Sequence, residues 1–276
     1  MAGPGMTQLF DLGGAVARRA GAMLEVLGGC DSLNELIVTQ SLSELEHAPA
    51  IDRVPLADVR FVAPVRPTRL FHVGLNYHSH LAELGVPTPK RPVYAVAASG
   101  AALADPDSSI RIPSSNPHEI DYEAELAVVL GASASGVVAR NAWNVVAGIT
   151  AANDVSARDL QRLALGTGDL TAGKMLPGFK PLGPGLLTDA AHAGPISIRL
   201  SVNGTVRQSD DSSQMVFSVP ELIEIISRDH ALQPGDVILT GSPAGIGLVT
   251  SNFLHTGDVV TVTLGPLPML RNVFHG

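Results

Sequence analysis

The stretch Ile120 to Gly131, IDYEAELAVVLG, decides the fold class. It alternates polar and apolar residues, runs into Leu-Ala-Val-Val-Leu and stops at a glycine, which is the pattern of a β-strand. The segments around it point the same way. Arg69 to Gly74 reads as a short strand, followed by a polar helix start in NYHSHLAELG. Ile196 to Gln208 holds two alternating runs around Asn203-Gly204, a strong hairpin signal. Asp236 to Gly241 and Asp258 to Leu264 are further strands. Ser218 to Ala231 reads as a helix, with Ser218 and Glu221 at capping-box spacing. Val155 to Gln161 also reads as helical. From Arg69 onward the chain is therefore α+β and β-rich.

The leading residues read differently. Leu9 to Gly28 carries Ala, Leu, Met and Val at roughly helical spacing and predicts a helix that stops at Gly28-Gly29. Ser32 to His47 predicts a second helix with Ser32 as its N-cap. Val59 to Val65 predicts a strand flanked by prolines. This division places a small N-terminal domain at 1–66 and a larger domain at 67–276.

Composition narrows the function classes. The 276 residues carry 18 Lys+Arg and 26 Asp+Glu, a net charge of −8. That argues against nucleic acid or an anionic membrane as the main partner, since both need a basic surface. Charged residues are only 16%, a hint that part of the surface is covered by another subunit. Hydrophobic residues reach 45%, enough for a full core and too many for a disordered chain. The single cysteine, Cys30, excludes a disulfide framework and any multi-cysteine metal site. No stretch approaches the ~18 uninterrupted apolar residues of a membrane helix. The expectation is a cytoplasmic protein.

Five places carry candidate chemistry. Glu123 and Glu125 sit at i and i+2 of the strand, on one face. They are either a solvated acidic edge or, because like charges this close repel, part of a site for Mg2+, Mn2+ or Ca2+. Asp154 ends the apolar run Gly148-Ile149-Thr150-Ala151-Ala152-Asn153, where it is an N-cap, a cation ligand or both. Arg158 and Gln161 lie three apart on the following helical segment. His80 and Glu83 have i, i+3 spacing, either an ordinary surface pair or a histidine made a better base by its glutamate. Lys174 follows Gly173 in a Gly/Pro-rich loop that is not a phosphate loop. Leu239 to Gly247 runs a strand into Gly241, Gly245 and Gly247, which lets backbone N–H groups approach a ligand.

Six stretches resemble the fumarylacetoacetate hydrolase family, in that family's order. They are VGLNYHSHLAELG (73–85), DYEAELAVVLG (121–131), ITAANDVSARDLQ (149–161), GK…FKPLGP (173–184), VNGTVRQSDDSSQMVFSVPELIEIIS (202–227) and LQPGDVILTGSPAGIG (232–247). The resemblance implies a rolled, barrel-like mixed sheet, usually in a homodimer. It implies Glu123, Glu125 and Asp154 as ligands of Mg2+ or Mn2+. It implies His80 and Glu83 as a dyad that activates water, with Lys174 adding positive charge. It implies Arg158, Gln161, Thr240 and Gly241 around a small oxo-acid substrate. The implied reaction is metal-dependent hydrolysis of a C–C bond in a 1,3-diketo acid. The alternatives are isomerisation, hydration or decarboxylation of a 2-oxo acid on the same scaffold, or a repurposed, non-catalytic member.

Two stretches depart from the family pattern. The family often carries a lysine where Tyr94-Ala95-Val96-Ala97-Ala98-Ser99 has Ala97. It often has an acidic residue after the glycine-lysine pair, where this chain has Met175-Leu176-Pro177-Gly178. A pocket with one cation fewer predicts a preference for mono-acids over dicarboxylates.

Overall fold

The structure, a computed structural model, describes residues 6–115, 118–169, 171–192 and 194–276. Two mixed sheets share one core. The larger has ten strands, in the order Ala50–Pro55, Met23–Leu27, Val16–Ala20, Gln8–Asp11, Gly185–Leu187, Val146–Asn153, Ala124–Leu130, Val237–Leu239, Arg69–Gly74 and Val93–Ala98. Its strands are antiparallel except where Val237–Leu239 runs parallel to Arg69–Gly74. The smaller has five strands, Thr205–Asp211, Ser197–Val202, Val259–Leu264, Leu270–His275 and Ser109–Arg111. Leu126, Val128 and Ile149 of the larger sheet pack with Ile198, Leu200 and Val262 of the smaller. The helix Val219–Asp229 closes this core with Leu222, Ile223 and Ile226, one apolar face at helical spacing. The α+β, β-rich architecture expected from the sequence is the one observed.

The hairpin at Asn203-Gly204 forms as expected, with both residues at positive φ, 51° and 79°. The Glu221 carboxylate accepts the Ser218 N–H, completing that half of the expected capping box.

The helix expected over Leu9 to Gly28 is three strands instead, Gln8–Asp11, Val16–Ala20 and Met23–Leu27. Gly13, Gly14 and Gly21 all take positive φ and cut the run into pieces too short for a stable helix. Strand pairing then satisfies the backbone. The second helix is shorter than expected. Ser32 does cap it, accepting the Glu35 N–H at 3.4 Å, but the α-helix spans only Leu33–Val38. Gln40 turns to φ 60°, and a short 3-10 segment follows at Leu42–Glu46. Val59 to Val65 is not a strand; only Val62 bridges to Asp11. The strand of that region is Ala50–Pro55, an edge strand exposed along most of its length, which leaves no alternation to read. Strands from residues 8–55 continue the ten-stranded sheet through the pairing of Gln8–Asp11 with Gly185–Leu187. Phe10, Ala17 and Leu24 also form a small cluster of their own. Residues 1–5 of the leading segment lie outside the described residues.

Candidate active site

The register of two central strands builds the acidic centre. Ala124 pairs with Asn153, so Glu123 and Glu125 flank the end of the strand that delivers Asp154. The Asp154 N–H donates to the Glu123 carbonyl at 2.8 Å, and the Glu123 N–H donates to Asn153 Oδ1 at 3.0 Å. All three carboxylates are buried, and one oxygen of each lies within 4.8 Å of the others. The expected continuous strand is interrupted at Tyr122-Glu123: Ile120–Asp121 pairs with Ser156–Ala157 instead. Asp154 is therefore not a helix cap. Ser156 and Ala157 are consumed by strand pairing, and the helix begins only at Arg158.

Cations surround this centre. Lys174 Nζ lies 2.5 Å from Glu123 Oε2 and 2.7 Å from Asp154 Oδ2. The turn that delivers it needs Gly173, at φ 74°, where a Cβ would sit 2.3 Å from the Ala157 carbonyl. Arg158 donates to Glu123, to Asp121 Oδ2 at 2.8 Å and to Gln161 Oε1 at 2.8 Å. Gln161 thus holds Arg158 rather than lining the cleft. Asp121 in turn accepts the Gly247 and Leu248 N–H groups.

Charge and burial compete at each group. Burial would raise Asp154, but Lys174 and Lys180 outweigh it and hold the carboxyl well below the usual range. Burial likewise opposes Glu123, and Arg158 and Lys174 hold it low. Glu125 goes the other way. Burial, then the Asp154 and Glu123 carboxylates, push it well above the usual carboxylate range. Its hydrogen-bond donor is the Gly241 N–H, at 2.8 Å.

His80 and Glu83, one turn apart on the helix His78–Leu84, meet with Nδ1 2.6 Å from Oε1. The other carboxylate oxygen accepts the Gly245 N–H at 2.9 Å. The glycine turn after Val237–Leu239 therefore grips three of the protein's own carboxylates, Glu125 through Gly241, Glu83 through Gly245 and Asp121 through Gly247. The Thr240 hydroxyl donates to the Leu126 carbonyl at 2.9 Å, and neither Thr240 nor Gly241 lines the cleft; Ser242 does.

A cleft of about 270 Å³ brings together His80, Glu123, Glu125, Asp154, Arg158 and Lys174. Its other wall is Val73, Gly74, Leu75, Val93, Tyr94 and Ala95. Ala97 lies two residues further along that strand and does not line it. A larger cleft, about 310 Å³, sits beside Leu42 and Thr188, but its charged lining is only Arg18 and Asp189. Chemistry, not size, singles out the smaller one.

Two residues of the centre were not anticipated. His72 Nδ1 lies 3.2 Å from Asp154 Oδ2, and burial pushes its pKa down. Its signal was a polar residue inside the apolar strand RLFHVG. Lys180 is buried with Nζ 2.6 Å from Asp154 Oδ1, and it also donates to the Val155 and Phe179 carbonyls, at 2.7 and 2.9 Å. Burial pushes Lys180 down to about 8.

The donor set fits a divalent cation. Three converging carboxylates offer hard oxygen ligands, and the raised Glu125 marks a repulsion that such an ion relieves.

A strand-rich scaffold with a buried carboxylate triad beside a histidine–glutamate pair defines an enzyme class, and the comparisons agree with it. Residues 69–275 match the family described as fumarylacetoacetate (FAA) hydrolase, C-terminal, and the chain belongs to that family of enzymes. It is 41% identical over 239 residues to a mitochondrial oxaloacetate tautomerase of Bos taurus, covering 85% of this chain and 75% of that one. Among solved structures, a fumarylacetoacetate hydrolase from Exiguobacterium antarcticum superposes with a TM-score of 0.83 at 30% identity, over 99% of this chain and 100% of that one. A 2-hydroxyhepta-2,4-diene-1,7-dioate isomerase from Mycobacterium marinum gives 0.78 at 29%, over 98% of each. Among the described residues no helix is long and apolar enough to cross a membrane.

Proposed function

We propose that the protein is a divalent-cation-dependent enzyme that enolises a 2-oxo acid, with keto–enol tautomerisation as its primary reaction. The observation that carries this reading is His80, held by Glu83, in the same cleft as the carboxylate triad. Glu83 engages Nδ1 of His80, so Nε2 is the ring atom left to take and return a proton. A 2-oxo acid has an acidic C–H beside its carbonyl, and moving that proton between carbon and oxygen is the reaction. Glu123, Glu125 and Asp154 would hold Mg2+ or Mn2+, which, when bound, supplies a Lewis acid for the carbonyl oxygen. Arg158 and Lys174 bring positive charge to the substrate carboxylate and to the developing enolate. The same reading includes a small oxo-acid substrate and a homodimer, the latter checked by light scattering.

The sequence expectation of C–C hydrolysis is the second reading. The dyad also suits deprotonation of water for attack on a distal carbonyl, and the Exiguobacterium relative is named as a hydrolase. The names of the bovine and Mycobacterium marinum relatives favour proton transfer without cleavage.

The test offers the Mg2+-loaded protein three substrates. Enol decay of phenylpyruvate and of oxaloacetate is followed by ultraviolet absorbance, and acetylpyruvate cleavage by released acetate. Acceleration of enol decay by ~10² or more without acetate release supports tautomerisation, on the scale of one general base. Rapid acetate release moves the assignment to hydrolysis.

A further inference from the structure

Lys180 is enclosed to 1% exposure, yet it touches neither the cleft nor solvent. An ammonium in such a place is costly unless it is paired. It is paired at the rear of the acidic centre, 2.6 Å from Asp154 Oδ1, and it donates to two carbonyls. Asp154 does not depend on Lys180 for its position. His72 and Lys174 hold its other oxygen, and its backbone N–H is fixed on Glu123. What Lys180 contributes is therefore charge. Asp121, Glu123, Glu125 and Asp154 stand against Arg158, Lys174 and Lys180. With all four carboxylates ionised, as cation binding requires of Glu125, four against three cations leave one formal negative charge. A divalent cation turns that to one positive charge, the complement of a single substrate carboxylate. Without Lys180 the loaded centre is neutral.

We propose that Lys180 acts through Asp154 to set the charge of the centre, so that cation affinity is given up in exchange for affinity toward an anionic 2-oxo acid. The inference rests on the proposed use of the triad for a divalent cation. Its test needs no turnover.

Mn2+ binding is measured calorimetrically in wild type, Lys180→Met and Lys180→Arg, and then oxalate binding to each Mn2+-loaded protein. In Lys180→Met, Mn2+ is expected to bind ~10-fold tighter and oxalate ~10-fold weaker, because one nearby unit charge acts on the two ligands with opposite sign. Lys180→Arg returns both toward wild type. Both affinities falling together, or neither moving, overturns the proposal and makes Lys180 a structural residue. If Lys180→Met does not fold, Lys180→Gln, which keeps donors for the two carbonyls, carries the same comparison. Failure of both to fold also overturns it. Opposite shifts in a protein that fails to tautomerise would sink the reaction reading and leave the role of Lys180 standing. An active enzyme with parallel shifts does the reverse.

Discussion

His80 Nδ1 lies 2.6 Å from Glu83 Oε1, and the second oxygen of that carboxylate is held by the Gly245 N–H at 2.9 Å. The pair is thus fixed at both ends: the helix supplies the i, i+3 spacing and the glycine turn supplies the backbone donor. A carboxylate held this way sets the tautomer and the orientation of the ring.

Removing the base should separate chemistry from metal binding. His80→Ala is expected to lower the rate of enol–keto conversion by ~10² or more, the usual worth of one general base, with Mn2+ affinity unchanged. Glu83→Gln should lose less, since the ring remains but its orienting charge is gone. Stopped-flow absorbance and calorimetry on the same preparations decide it. Loss of cation affinity in His80→Ala would count against the division of roles.

Glu125 gives a second separation. Its carboxylate is the one that burial and two neighbouring carboxylates destabilise in its charged form. Glu125→Gln should therefore leave the cation-free protein as stable as wild type or more so. It should also weaken Mn2+ binding at least ~10-fold, because one hard oxygen ligand is replaced by a neutral one. Wild type at [Mn2+] near 100 Kd should gain ~2.7 kcal/mol of stability, a gain that chelation removes. Thermal melts with and without chelator test both statements. Equal Mn2+ stabilisation of the two proteins would refute the assignment.

Gly245 joins the turn to the dyad. Its φ is 104°, and a Cβ there would sit 2.0 Å from the Arg207 carbonyl oxygen. Gly245→Ala should cost ~2 kcal/mol or more, from strain at a backbone conformation closed to other residues and from a backbone clash. The displaced N–H should also release Glu83, so activity should fall beyond what the lost stability explains. Urea unfolding paired with kcat at low denaturant measures the two losses separately.

Where the sequence was legible, short-range rules and tertiary structure agreed. The Asn203-Gly204 hairpin, the Ser218–Glu221 cap and the i, i+3 dyad are local patterns, and each formed. Glu123 and Glu125 were readable as neighbours from their i, i+2 spacing, although the strand begins only at Ala124, and the triad with Asp154 was legible through the resemblance to the family. Leu9 to Gly28 misled because its apolar spacing fits two periods, and only pairing with distant Gly185–Leu187 settles which is used. Lys180 was illegible for a related reason. A lysine between phenylalanine and proline in a glycine-rich stretch looks solvated, and nothing local shows that Asp154, far off in sequence, is waiting beneath it. Thr240 and Gly241 were placed near the substrate, but Thr240 bonds to the neighbouring strand and Gly241 to Glu125.

The last prediction concerns substrate choice. Val93, Tyr94 and Ala95 form the wall opposite the triad together with Val73, Gly74 and Leu75, and none of them is charged. The Tyr94 hydroxyl is turned onto Asp229, at 2.8 Å, and its ring packs edge-on against His230, so it brings no charge to the cleft. The cations that line the cleft, Arg158 and Lys174, are already shared with Glu123 and Asp154. One substrate carboxylate is served at that end. A second, carried to the apolar wall, would be buried without a partner, at a cost of several kcal/mol unless water follows it in. Phenylpyruvate should therefore be turned over with a higher kcat/KM than oxaloacetate. Ala95→Lys should shift the ratio toward the dicarboxylate by ~10-fold or more, the worth of one partly desolvated ion pair. Faster turnover of oxaloacetate by wild type would count against the wall as the selecting element. So would a lysine at position 95 that leaves the ratio unmoved, since Ala95 pairs with His72 at the edge of the acidic centre and its side chain lines the cleft.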